Sequence, residues 1–309
     1  MKIKSYSFID LAKLGRTDWR AAVLTVFIIA LLSIICNWSV LLLTGGSLYF
    51  RNYHIADVVK TIVHAATDPV ISVFGFWIAC RKVLRRRFRS LISADLTFRF
   101  RRCLLGAALY LPVNVIGYLT MALYSSARYG AWMFPFGHFE GIHGEQIVKL
   151  IGALISFPFL AFAEEVYFRG WLTQTIGQYI RMPFVVVAVV AVAFAAYHTQ
   201  YNLQLKMVML FSSLGFSALS LRDQRLELAV GAHTMMNICA ALQILFLTGP
   251  LSHMQTSATV TTFDWFALAV IKGALPLALM YWFLQKTGGW FAPTDTRTAS
   301  TIAVQPERL

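Results

Sequence analysis

Long apolar runs, separated by short polar and basic stretches, dominate the 309-residue chain. Most of them approach the ~20 residues that an α-helix needs to cross the hydrocarbon core of a bilayer. They predict about eight helices, at roughly residues 21–44, 62–80, 103–125, 146–172, 183–199, 207–221, 228–248 and 264–285. The predicted spans 183–199 and 207–221 are short for lipid-exposed helices, so we expect neighbouring helices to enclose them.

The amino-acid composition indicates the fold class to which this pattern belongs. The chain is 58% hydrophobic and 13% charged, with a mean hydropathy of +0.64, whereas about 25% of the residues of a soluble domain are charged. Backbone polar groups inside a bilayer must be satisfied within the segment itself, so such spans form helices. The sequence therefore predicts an all-α protein, a polytopic membrane bundle of about eight transmembrane helices.

The basic residues are distributed unevenly along the predicted topology. With the N-terminus inside, 20 of the 27 Lys and Arg residues fall on one side of the membrane, and only Arg51, Lys60, Arg128 and Lys206 fall on the other. The positive-inside rule then places both termini in the cytoplasm of a multi-pass protein of the plasma or inner cell membrane. The same rule accounts for the cluster at 81–89, which could also bind anionic lipid headgroups. Because the basic residues lie between apolar runs, the net charge of +13 does not indicate nucleic-acid binding.

Three charges interrupt the apolar run that starts near Ile147: Glu164, Glu165 and Arg169. An ionised group in a membrane helix costs about 3 kcal/mol on insertion scales unless it is paired. On a helix, Glu165 and Arg169 are four residues apart and can form an ion pair, whereas Glu164 lies about 100° round the axis without that partner. A carboxylate in such a place is a candidate for chemistry.

Two further helices carry polar groups in apolar surroundings. His233 and Asn237 are four residues apart, about 6 Å along one helix face, so both can point at one spot where two donors would suit an oxyanion. His198, four residues after Phe194, ends its span, where an imidazole can take a proton or bind a metal. Each group alone is more simply a hydrogen bond between helices. Together, on three spans, they indicate a catalytic or transport site.

In their order on successive helices, the motifs E-E-x-x-x-R, F-x-x-x-H and H-x-x-x-N resemble those of the CPBP family, the CAAX proteases and bacteriocin-processing proteins, also called the Abi family of intramembrane proteases. The similarity covers about residues 146–250, and every motif position is present: Glu164, Glu165, Arg169, Phe194, His198, His233 and Asn237. It divides the chain into N-terminal transmembrane helices and loops at 1–145, a CPBP-like catalytic helical core at 146–250, a last transmembrane helix at 251–286, and a cytoplasmic tail, expected to be disordered, at 287–309.

The resemblance implies a helical bundle around a polar, water-accessible cavity in which a membrane or exported peptide is hydrolysed. Carried over position by position, it makes Glu164 the general base, and His198 helps to hold or activate the water. His233 and Asn237 stabilise the tetrahedral oxyanion. Glu165 and Arg169 take supporting roles. The family's eukaryotic members cleave after a prenylated cysteine in C-a-a-X proteins, but neither the substrate nor the oligomeric state of this chain follows from its residues.

Two mechanisms are open, with zinc or with no cofactor. Members of the family are classed as metalloproteases, and Glu164, His198 and His233 would supply a His₂Glu set for Zn²⁺ with water as fourth ligand. The chain has no H-E-x-x-H helix, so those ligands would come from three separate helices. The spacing of His233 and Asn237 favours the metal-free scheme, because it aims both side chains at one atom.

The principal rival to an enzyme is a non-catalytic immunity or scaffold protein that keeps the fold. Such a relative would be expected to have lost at least one of the four catalytic positions, and all four are present. A transporter is a weaker alternative, because the sequence shows no inverted pair of broken helices. The four cysteines lie in or beside apolar segments without CxxC spacing, which indicates small buried side chains rather than a zinc or disulfide framework.

Overall fold

The computed structural model describes residues 7–43, 55–129, 138–139, 141–248, 260–288 and 291–292. Its α-helices are α1 (Trp19–Leu43), α2 (Ile55–Ala79), α3 (Phe100–Tyr129), α4 (Gly144–Glu165), α5 (Thr173–Ile176), α6 (Pro183–Tyr197), α7 (Leu203–Asp223), α8 (Glu227–Phe246), α9 (Thr262–Leu268) and α10 (Leu275–Lys286). π-Helical segments continue α2, α4 and α9 at Cys80–Leu84, Val166–Leu172 and Ala269–Ala274. Short 3₁₀ helices lie at Ile9–Leu14 and Phe88–Leu91, and the two-residue strands β1 (His138–Phe139) and β2 (Leu247–Thr248) pair antiparallel.

The predicted helical membrane bundle is confirmed, since each of the eight predicted segments is helical. Within the described ranges, six segments are long and apolar enough to cross a membrane: Trp19–Val40, Phe100–Tyr129, Gly144–Ile176, Leu203–Asp223, Glu227–Phe246 and Thr262–Lys286. The helix Pro183–Tyr197 is shorter, as predicted, but it is not enclosed, since its Phe184 and Val192 are 68% and 57% exposed. The prediction of a short helix at 207–221 is wrong: the helix continues through the polar residues Gln204 and Lys206, and Leu203–Asp223 is long enough to cross a membrane. Helix α2 has the length for a span but carries Asp57, Lys60 and Asp68. The predicted tail at 287–309 lies almost entirely outside the described residues.

Large apolar side chains cover the outside of the bundle. Trp38, Leu123 and Ile244, on three different helices, are 62%, 61% and 81% exposed. A soluble monomer rarely leaves so much apolar surface in water. On this protein the surface is expected to meet lipid, which agrees with the span lengths.

Helix α8 packs against α3, α4 and α7 and so lies inside the bundle. Its contact with α3 depends on two glycines, Gly106 on α3 and Gly231 on α8. A Cβ atom on Gly231 would overlap the backbone carbonyl of Cys103, and one on Gly106 would overlap that of Leu228. Small residues that let two backbones approach are typical of transmembrane helix pairs. This contact fixes the height and rotation of α8, and with them the place of His233.

A buried ion network holds the turn between α7 and α8. Arg225 is fully buried, and its guanidinium donates to Asp95 at 3.1 Å and to Glu227 at 2.8 Å. The backbone amide of Arg99 donates to the same Glu227 carboxylate at 2.9 Å. The segment before α3 is therefore tied to the first turn of α8.

The basic cluster at 81–89 is only partly a free surface. Arg86 is 8% exposed, its Nη1 donates to Gln174 Oε1 at 2.6 Å, and Gln174 Nε2 donates to the carbonyl of Ser90 at 2.8 Å. Burial lowers the pKa of Arg86 to about 10. Arg86 therefore anchors this segment to α5 and does not contact lipid headgroups, because its guanidinium is bonded to the buried Gln174 amide.

We expect cysteines at the two ends of the bundle to react differently with a membrane-impermeant thiol reagent in intact cells. Arg89 lies exposed in the basic segment, and Ile142 lies exposed just before α4. In a background without the four native cysteines, the Ile142→Cys variant should be labelled. The Arg89→Cys variant should be protected until the membrane is permeabilised. The reverse pattern would overturn the predicted orientation.

Candidate active site

Two neighbouring carboxylates at the end of α4 have different surroundings. Glu165 is fully buried, whereas the Glu164 side chain is 12% exposed and lines a cavity. The chain then continues into the π-helical segment Val166–Leu172, which carries Arg169. Single π-helical turns inside α-helices are frequent at functional sites. Of the two adjacent glutamates, Glu164 therefore faces the cavity and Glu165 lies in the protein interior.

The ion pair predicted from the spacing is present. Arg169 Nη1 donates to Glu165 Oε1 at 3.0 Å, and both side chains are at most 1% exposed. Arg169 Nη2 donates to Ser213 Oγ at 2.7 Å. The guanidinium also lies over the rings of Phe194 and Phe216, 4.5 Å and 5.4 Å from their centroids, where a cation is attracted to the ring faces. Arg169 is thus held by the protein interior, which is a structural position.

His233 joins the two carboxylates, a contact that the sequence did not predict. Its Nδ1 lies 2.9 Å from Glu165 Oε1, and its Nε2 lies 3.5 Å from Glu164 Oε2. An ionised carboxylate can only accept a hydrogen bond, so Nδ1 carries a proton and donates it to Glu165. Glu165 therefore supports His233 as well as pairing with Arg169, and the remaining ring nitrogen of His233 faces Glu164.

His198 is fixed by the backbone of its own helix. Its Nδ1 lies 2.8 Å from the carbonyl oxygen of Phe194, and because a carbonyl only accepts, Nδ1 is the donor; in the neutral ring Nε2 then carries no proton and can accept. Phe194 is fully buried, with its ring centroid 4.6 Å from that of His198 and 5.9 Å from that of His233. The phenylalanine of F-x-x-x-H thus separates the two imidazoles and orients one of them.

One cavity of about 710 Å³ brings the predicted catalytic side chains together. Glu164, His198, His233 and Asn237, from α4, α8 and the end of α6, all line it. Its lining continues along α4 as far as Lys149, which is roughly 22 Å from Glu164 at 1.5 Å per residue. The site is therefore a deep pocket reached from the end where α4 begins.

Two residues of α7 belong to the site but were missed by the sequence analysis. Ser213 accepts from Arg169, and the ring of Phe216 stacks on His233 at 4.7 Å between centroids and 19° between planes. The available signal was a set of serines in an apolar span, a pattern that indicates hydrogen bonds between helices. All four serines are buried: Ser212, Ser213, Ser217 and Ser220. Ser213 bonds to Arg169 outside α7, whereas Ser220 Oγ donates to the carbonyl of Phe216 within α7 at 3.0 Å.

The side chains available to a metal do not form a closed ligand set in this geometry. In the part of the chain that the structure describes, no group of three His, Cys, Asp or Glu side chains could hold one ion. Glu164 and His233 approach each other, and the Nε2 atoms of both histidines are the kind of donor that Zn²⁺ takes. The four cysteines form no disulfide.

The segment that carries these residues is similar to a known family. A family model described as type II CAAX prenyl endopeptidase Rce1-like matches residues 146–239, a segment that contains all seven motif positions. The chain is also similar to the uncharacterized protein YyaK of Bacillus subtilis (strain 168), at 24% identity over 241 residues, 72% of this chain and 78% of the relative. The resemblance drawn from the three motifs is therefore confirmed: residues 146–239 carry a type II CAAX prenyl endopeptidase Rce1-like segment, consistent with the CPBP family.

Proposed function

We propose that this protein is an intramembrane endopeptidase in which Glu164 activates a water molecule. The observation that carries the proposal is the convergence of Glu164, His198, His233 and Asn237 on one cavity inside a membrane bundle. Ionisable groups that meet inside a membrane protein usually mark a functional site. The Rce1-like match supports a CAAX-type intramembrane protease as the kind of function.

Four ionisable side chains in a row hold Glu164, the proposed base, in place. Arg169, Glu165, His233 and Glu164 follow one another at 3.0, 2.9 and 3.5 Å. With His233 protonated on both nitrogens, the four charges cancel, whereas a neutral His233 would leave one excess negative charge in a region of low dielectric constant. In the proposed scheme His233 carries both protons, and its Nε2–H donates into the cavity.

The chemical step follows from these assignments. A water proton passes to the Glu164 carboxylate as the water oxygen bonds to the peptide carbonyl carbon. The other O–H group of the water donates a hydrogen bond to His198 Nε2 and keeps its proton. The oxyanion of the tetrahedral intermediate accepts from His233 Nε2–H and the Asn237 amide. When the C–N bond breaks, Glu164 returns its proton to the leaving amine, which gives one carboxylic acid and one amine.

Substrates enter from the end of the bundle opposite the basic segment. The cavity reaches Lys149, which lies near the start of α4 and has a side chain 54% exposed. At the other end, Gly170 packs so closely against the chain that a Cβ atom there would lie 2.6 Å from the carbonyl oxygen of Leu91. In the orientation predicted by the basic residues, the mouth faces the extracytoplasmic side, which suits a membrane or exported peptide.

Peptidomics of cells tests the proposed function. Membrane and exported peptides are compared by mass spectrometry between cells that produce the wild-type protein and cells that produce the Glu164→Gln variant. Peptides that accumulate uncleaved with the variant, matched by new termini with the wild type, are the expected result. Identical profiles would favour the alternative, a non-catalytic immunity or scaffold protein with the same fold.

Metal content separates the two mechanisms. Because His233 Nε2 serves as a donor in the proposed scheme, we expect purified active protein to contain far less than one zinc per chain and to keep its activity after dialysis against a chelator. Elemental analysis beside a peptidase assay checks this. One zinc per chain, with activity lost on chelation and restored by zinc, would replace the scheme with metal ligation by Glu164, His198 and His233.

A further inference from the structure

A second, smaller cavity adjoins the proposed catalytic cavity. It has a volume of about 170 Å³, and its lining includes Asn114, Tyr118, Cys239 and Lys272. The two cavities share one wall, formed by residues of α7, α8 and the loop before α7: Tyr201, Met209, Met236, Asn237 and Ala240. Asn237, assigned above to the oxyanion, therefore faces both spaces.

Lys272 is the unusual group in this second cavity. It lies in the π-helical segment Ala269–Ala274, within the membrane-spanning stretch Thr262–Lys286. Its Nζ is buried, and no hydrogen-bond partner for it exists among the residues described. The Nζ atom lies 2.9 Å from the ring centroid of Tyr118, so the ring face is its nearest favourable contact. A buried ammonium without a carboxylate inside a membrane span is a functional site by default.

The acidic residues described near Lys272 have other partners. Asp264, on the preceding helix α9, accepts from the hydroxyl groups of Thr261 and Tyr124 and pairs with Arg128 at 3.3 Å. Glu164 lines the larger cavity and faces His233. The described lining of the small cavity contains no acidic residue. Among the described residues no counterion for a charged Lys272 is available, so a bound molecule would have to supply one.

We propose that the small cavity binds a carboxylate of the peptide substrate, with Lys272 as its counterion. This proposal rests on the proposed peptidase function. A space of this size takes one residue-sized group, since a cavity of about 150 Å³ holds one benzene molecule. The shared wall at Asn237 places that group within a few residues of the bond to be cut. The carboxylate belongs either to the C-terminus of the peptide or to an Asp or Glu side chain.

Matched peptides test the proposal and distinguish these two sources. Binding to the Glu164→Gln protein in detergent is measured for an acetylated leucine-alanine tetrapeptide as free acid and as C-terminal amide, and for amidated versions that carry an internal aspartate or asparagine. We expect the charged member of one pair to bind about tenfold or more tightly than its neutral partner, as a hydrogen bond to a charged group would give. The pair that shows the preference identifies the source.

Two further variants in the same Glu164→Gln background assign the preference to one residue. Adding Lys272→Met should abolish the preference, so that the charged member of the pair binds no more tightly than its neutral partner. Adding Lys206→Met is the matched control, because Lys206 is another lysine in a membrane-spanning helix and is absent from the described linings of both cavities. That variant should keep the preference in full.

A second measurement uses a protein that still has Lys272 and so does not depend on the folding of the Lys272→Met variant. A carbodiimide-activated carboxylate bound beside Nζ would form an amide with Lys272 and release the activated group as a urea, and mass spectrometry should locate the link at that residue. Equal or absent binding of both members of each pair, a preference that survives Lys272→Met, or no link at Lys272 would each overturn the proposal. Because no measurement requires hydrolysis, its failure is distinguishable from a failure of the peptidase function, which the wild-type peptidome tests.

Discussion

Replacement of Glu164 by Gln is expected to lower kcat by about 10²- to 10⁴-fold, the usual contribution of a general base. Glutamine keeps the shape of the side chain but cannot take the proton of the attacking water. The variant should fold normally, because Glu165 still pairs with both Arg169 and His233. Single-turnover hydrolysis of a peptide found by the peptidome comparison, together with thermal unfolding in detergent, measures both expectations.

The control for this change is a second glutamate on the same helix. Glu145, in the first turn of α4, has a side chain 38% exposed and pairs with Lys149. Glu145→Gln should leave kcat within about fivefold of the wild type, since an exposed pair contributes at most about 1 kcal/mol. If Glu164→Gln hydrolyses the peptide as fast as Glu145→Gln does, Glu164 is not the base.

Replacement of Arg169 by Ala is expected to destabilise the protein by about 3–5 kcal/mol, the cost of leaving one member of a buried ion pair alone. The change would leave Glu165, fully buried, without its guanidinium partner. It would also remove one of the two cations that offset the charges of Glu165 and Glu164 in the proposed scheme. Thermal and denaturant unfolding in mixed micelles should show the loss as a lower midpoint and a lower yield of folded protein.

An exposed pair provides the comparison for Arg169. Arg181 lies 3.4 Å from Asp10 with its side chain 62% exposed, so Arg181→Ala should cost at most about 1 kcal/mol. Adding Glu165→Gln to an Arg169→Met variant should recover part of the lost stability, because no lone charge stays buried and glutamine can still accept from His233 Nδ1. If Arg169→Ala is as stable as the wild type but inactive, Arg169 acts on the substrate and its structural role is wrong.

Local features of the chain were enough to predict the bundle, and they marked the polar side chains that the structure brings to one cavity. Span positions follow from apolar length, because a bilayer demands about 20 apolar residues per helix whatever the neighbours are. The pair Glu165–Arg169 follows from helical periodicity, which is a property of one segment. The predicted catalytic side chains stood out because charged and polar groups are rare in apolar spans.

The contacts between helices were decided only by the tertiary structure. The hydrogen bond from His233 to Glu165 joins α8 to α4. It depends on the height and rotation of α8, which the glycine contact with α3 sets, and no residue spacing within one helix encodes these. For the same reason, the sequence did not show that Ser213 and Phe216 belong to the site or that Arg86 is buried. In the sequence, Lys272 is one basic residue in a span. Its position beside the shared wall, without a hydrogen-bond partner among the described residues, arises only once α3, α7, α8 and the segment after α9 are packed together.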